Sequence, residues 1–235
     1  MRSPDLSDIH QFVDAEAAWV SSNRTELPTP WEMYLSNDLE ARRYAGDAEL
    51  ASIEPLFPSA VPILRDTLID AFVVHSSDSA FGEDVLLRVL AVMIGDESYA
   101  WISKAALAQP SDHLLFHRAA ETLRRTYIER FDGLCDMFLT GGLLPLSNVH
   151  PVTSEDSGLE DADWITALAE RTLTREVHEI ANNGGGIHAL VDLSRTSSDP
   201  ATAIWVDDEG GIEDLNTPLF AFVDGMMRAS LEVND

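Results

Sequence analysis

The sequence predicts an α+β chain, predominantly helical, in which a helical N-terminal region is followed by a small antiparallel sheet flanked by helices. Three observations carry this. Apolar residues recur at helical spacing through most of residues 1–146. IHALVDL (187–193) and ATAIWVD (201–207) are rich in branched residues and alternate as strands do. Glycine and proline clusters separate the two regimes.

In chain order, Asp8–Val20 places Ile9, Phe12, Val13 and Val20 near one helical face. Thr29–Pro30 supplies a cap and a proline suited to a first helical turn, and Trp31, Leu35 and Leu39 follow as a stripe. Pro55, Pro58 and Pro62 mark a turn region between Ile53 and Ile63. Helical patterns are expected over Ile63–His75, over Glu83–Ile94 after Ser79 with Gly95 as its stop, and over Ser98–Leu107 before Pro110. The longest expected helix is His113–Leu139, capped by Ser111 and closed by Gly141–Gly142. Asp163–Ile180 reads as an amphipathic helix ended by Asn182–Gly186. Asp208–Gly211 has hairpin-turn chemistry, and Ile212–Leu215 is a candidate third strand. Thr217–Pro218 opens a last helix that runs to about Leu231, with Leu219, Phe222, Val223 and Met226 inward. The expected division is a helical domain or subdomain over 1–146, a linker over 147–161 and an α-β-β-(β)-α unit over 162–235.

Charge is the compositional outlier. The chain has 235 residues, 41 acids and 15 bases, for a net charge of -26. Residues 147–235 hold 18 of the acids and 4 of the bases. Such a field repels nucleic acid and anionic lipid, and speeds encounter with a basic protein. One lysine stands against 14 arginines, which suits a salt-adapted chain or a GC-rich genome equally. A salt-adapted cytoplasmic protein with no charge-directed partner is therefore an alternative. The longest apolar run, Val85–Ile94, contains Arg88 and is too short to span a bilayer. The N-terminus has no apolar signal region, and Cys135 is the single cysteine. A cytoplasmic chain is expected.

Motifs for chemistry are sparse. His113, His117 and Glu121 fall at i, i+4 and i+8 of the expected long helix, where two imidazoles and a carboxylate on one face suit a metal. A metal-dependent enzyme built there is a second alternative, although Arg118 and Arg124 nearby disfavour a cation. Asn183–Gly186 lacks the strand-glycine-helix order of a phosphate loop. Asp207–Gly211 lacks the ligand alternation of a calcium loop. No G-x-S-x-G, Walker, Rossmann, H-E-x-x-H or C-x-x-C pattern occurs. Cys135 lies in an apolar stretch, as a buried inert thiol does. No cofactor is expected, and an enzyme is less expected than a binding protein. The residues marked for partner binding are Asp207, Asp208, Glu209, Glu213 and Asp214, with Trp205 as an aromatic anchor.

Leu190-Val191-Asp192-Leu193, Ile204-Trp205-Val206-Asp207 and Leu219-Phe220-Ala221-Phe222 resemble the end of the SUKH superfamily, named for the yeast cell-wall-assembly regulator. The resemblance covers about 50 residues. Residues 1–146 lack that family's usual N-terminal pattern. The resemblance implies an α+β domain that binds partners without catalysis. Many bacterial members look like immunity proteins that neutralise secreted toxins, often basic nucleases.

Overall fold

A computed structural model describes residues 18–19, 29–76, 85–107, 113–136, 139–159, 162–172, 174–194, 202–207 and 211–232. The strands are β1 (Ala18–Trp19), β2 (Leu68–Ser76), β3 (Val85–Ile94), β4 (Glu97–Lys104), β5 (Asp132–Asp136), β6 (Gly142–Leu143), β7 (Val177–Asn182), β8 (Ile187–Asp192), β9 (Thr202–Asp207) and β10 (Ile212–Pro218). Each pairs antiparallel with its neighbour in chain order, so the sheet is one long meander from β1 to β10. The helices are α1 (Leu39–Ile53), α2 (Ala60–Thr67), α3 (Leu114–Arg118), α4 (Glu121–Glu129), α5 (Asp163–Ala169) and α6 (Leu219–Leu231).

This overturns the predominantly helical expectation. The sheet is large and begins in the N-terminal half. Ile63–His75 is helical only to Thr67 and then becomes β2. Glu83–Ile94 and Ser98–Leu107, expected as helices, are β3 and β4. The expected long helix from His113 breaks into α3, α4 and β5. Asp163–Ile180 is helical only to Ala169, and its end is β7.

The physical reason is burial on both faces. β3 lies between β2 and β4 and is covered above and below, so its apolar residues run on instead of alternating with polar ones. Leu90 and Val92 join one core cluster; Leu87, Val89 and Ala91 join another. Gly95, at φ +60, makes the tight turn into β4 that pairs Ile94 with Glu97.

The C-terminal third is closer to expectation. β8, β9, β10 and α6 occupy the predicted segments, and Leu219, Val223 and Met226 are buried. The 147–161 stretch read as a linker contributes fully buried Val149 and Val152. The predicted helix over Asp8–Val20 lies outside the described residues, except for Ala18 and Trp19, which form β1.

α1 lies on the sheet. Asp38 caps it by accepting from the Glu40 amide at 3.0 Å. Arg42 donates from Nε and Nη2 to the two Asp70 carboxylate oxygens at 2.9 and 2.7 Å, and from Nη1 to the Ser36 carbonyl at 2.7 Å. Asp70 stands where the β2–β3 register slips. One turn along, Gly46 approaches β2 so closely that a Cβ there would fall 2.8 Å from Ala71 Cβ. Seven residues after Arg42, Glu49 forms an ion pair with Arg88 of β3.

A second long-range tie joins α6 to the start of α2. The buried Asp224 carboxylate of α6 accepts from the Ser59 and Ala60 amides at 3.0 and 2.9 Å, which caps α2. Phe57 packs edge-on against Phe220, with ring centroids 5.8 Å apart.

Gly46→Val should destabilise the protein by about 2 kcal/mol through overpacking against Ala71, measured by urea denaturation. Asp224→Ala should cost about 1–2 kcal/mol by leaving two helix-end amides without their cap, with the fold retained by circular dichroism.

Candidate functional site

The partner-binding residues predicted from sequence fall largely on the last hairpin. Trp205 of β9 pairs in register with Glu213 of β10 and with Ala189 of β8. Its neighbours Ile204 and Val206 are buried in the cluster around Trp164, so alternation sends Trp205 to the opposite face, where Glu213 also lies. Trp205 is half-buried and Glu213 is exposed. Asp214 stands opposite Ile204, and Asp207 ends β9 opposite Ile187. Asp208 and Glu209 lie outside the described residues. β10 is the last strand in the sheet order, so this hairpin forms an edge.

The metal alternative meets a different geometry. His113 is the N-cap of α3: its Nδ1 accepts from the Leu115 amide at 3.2 Å, and its Nε2 faces the Val149 carbonyl at 2.9 Å. Both ring nitrogens are occupied. His117 and Glu121 are exposed and sit on separate helices, α3 and α4. The single long helix that was to align all three is absent. Among the described residues, no group of three or more metal-ligating side chains is placed to hold an ion.

His113 instead belongs to a histidine cluster with His178 and His150, the residues that a metal site on the expected helix could have recruited. Its ring packs edge-on against His178 of β7, with centroids 5.7 Å apart, and His150 also faces His178. Burial pushes His178 down to about 4, and the two neighbouring imidazoles add to the shift. His178 is therefore neutral at physiological pH. Cys135, on β5, is fully buried, and burial raises its thiol well above the usual value, which suits an inert side chain.

A cleft of about 590 Å³ opens on the other side of α1. The 3-10 turn Thr29–Leu35 brings Trp31, Met33 and Tyr34 to it; α1 brings Tyr44 and Glu49; the end of α4 brings Glu129 and Arg130. At its base the Tyr34 hydroxyl donates to Glu49 Oε2, and Glu49 is paired with Arg88. Arg88 is 1% exposed, and its Nε has no hydrogen-bond partner among the described residues. Burial holds the Tyr34 phenol above its ordinary value, against the opposing pull of Arg88. Sequence reasoning noticed Arg88 only as an interruption of an apolar run. A charge inside such a run was the available signal for a buried ion pair.

No helix among the described residues is long and apolar enough to cross a membrane. Comparison with protein-family models, curated proteins and solved structures finds no match to the chain.

The His178 shift carries a pH signature. The unfolded histidine takes its proton near pH 6.5, while the folded one resists until about 4. Folded stability should therefore fall as pH drops through that window, by up to about 3 kcal/mol from this residue, and level off below it. Denaturation of wild type and His178→Phe at pH 7, 5.5 and 4 should show the wild type losing the larger share.

Proposed function

We propose that this chain is a non-enzymatic binding protein, of immunity or antitoxin type, that engages a basic protein partner through the acidic edge hairpin β9–β10. The observation that carries the reading is the pairing of half-buried Trp205 with exposed Glu213 on the terminal hairpin of the sheet. An aromatic group beside a carboxylate at an edge combines an anchor with a charge that selects the partner's sign. The setting supports it, because residues 147–235 carry 18 acids against 4 bases. Such a surface would compete with phosphate for the nucleic-acid-binding face of a basic nuclease toxin. The resemblance of residues 183–227 to the SUKH superfamily points the same way. A cytoplasmic setting belongs to this proposal.

The reading requires a salt-sensitive complex. Screening shortens the reach of surface charges to roughly 10 Å at 0.1 M salt and about 3 Å at 1 M. A pull-down from the native host should retain a basic protein at low salt and release it at high salt. Glu213→Lys combined with Asp214→Lys should weaken capture by about tenfold or more. Failure to retain any basic protein at low salt would overturn the proposal, as would equal capture by the charge-reversed chain.

A further inference from the structure

The cleft between the 3-10 turn Thr29–Leu35, α1 and the end of α4 differs from the rest of this acidic surface in three respects. The first is exposure of apolar bulk. Among the described residues, three large hydrophobic side chains are exposed, and two of them, Tyr44 at 71% and Met33 at 49%, stand on this cleft. Buried Trp31 and Tyr34 line the same space. Grouped exposed apolar side chains mark a binding surface where scattered single ones do not.

The second is charge. The Glu49 carboxylate is engaged by Tyr34 and Arg88. Glu129 is held by Arg125 through two hydrogen bonds of 2.9 and 3.0 Å. Arg130 is exposed at the end of α4, and its charge also acts on the neighbouring Glu129 carboxylate. On a chain of net charge -26, this cleft presents an exposed cation and two carboxylates that other side chains already hold. The third is dimension. About 590 Å³ is the size of a small-molecule site and far below that of a protein interface. A second hollow of about 330 Å³ adjoins it along Ser52, Glu129 and Arg130.

We propose that this cleft is a binding site for a small planar aromatic molecule carrying one anionic group. The ring system lies against the exposed Tyr44 and Met33, where an aromatic face favours offset or edge packing, over a floor that buried Trp31 and Tyr34 help to form. The anion meets Arg130 at the mouth, whose planar fork suits a carboxylate, sulfonate or phosphate. The Tyr34–Glu49–Arg88 cluster fixes the base of the cleft before any ligand arrives. The site is separate from the β9–β10 hairpin and stands independently of the partner-binding proposal.

Two fluorescent probes test this on the full chain. 8-Anilinonaphthalene-1-sulfonate is an aromatic anion, and N-phenyl-1-naphthylamine is its uncharged counterpart. The anion should bind saturably with one site per chain. Arg130→Glu should weaken the anion by about tenfold and leave the uncharged probe within about twofold. Tyr44→Ala should weaken both probes. Tyr44 and Arg130 are exposed, so both variants should keep the wild-type circular dichroism spectrum and thermal midpoint. The proposal is overturned if the wild type binds neither probe saturably, if Arg130→Glu leaves anion affinity unchanged or lowers both probes equally, or if Tyr44→Ala changes neither.

Discussion

The attachment of α1 to the sheet is the constraint on which the N-terminal half depends. Three positions on one helical face set it. Arg42 holds Asp70 of β2, Gly46 permits the closest approach, and Glu49 reaches Arg88 of β3. Spacings of four and seven residues keep such positions on one side of a helix. Two ion pairs in an apolar setting are costly to desolvate and costly to break, so each leaves its partner helix and strand one acceptable alignment. Gly46 makes that alignment possible, because the side chain it lacks would displace β2.

The same attachment shapes the aromatic cleft. Glu49 is both the ion-pair partner of Arg88 and the wall of the cleft, and Tyr34 is fixed by its hydrogen bond to that carboxylate. The residues that seat α1 therefore also position the aromatic groups beside it. The hairpin at the opposite end of the sheet order is organised differently. It relies on strand pairing and on alternation, with Ile204 and Val206 inward and Trp205 on the other face. The two surfaces also differ in charge, since the cleft neutralises its carboxylates and the hairpin edge presents Glu213 to solvent.

How far the sequence was legible follows from these differences. β8, β9 and β10 are short segments that each border a glycine-rich stretch, so they could be read as strands, and α6 announced itself through Thr217–Pro218. β2 and β3 could not be read in the same way. Covered on both faces, they show dense apolar runs, broken only at Asp70, His75 and Arg88 before the strand ends, that fit a buried helix as well as a buried strand. Valine content and the short turn at Gly95–Asp96 are the discriminating signals, but a glycine there suits a helix stop equally well. The hairpin residues were accessible to sequence reasoning because they are adjacent in the chain. The cleft was not, because its walls come from four segments that only the fold brings together.

The Asp224 cap has a consequence for the order in which the molecule can be completed. The amides it satisfies lie 164 and 165 residues earlier in the chain. In a meander each strand pairs with the one made just before it, so the sheet needs no later segment to complete an earlier pair. Capping of α2 does need one. On a ribosome, α2 emerges long before the carboxylate that finishes it, and its first amides stay in water until α6 has been synthesised. α6 thus completes a helix of the first half, and a nascent chain that lacks it holds an N-terminal layer still waiting for that contact.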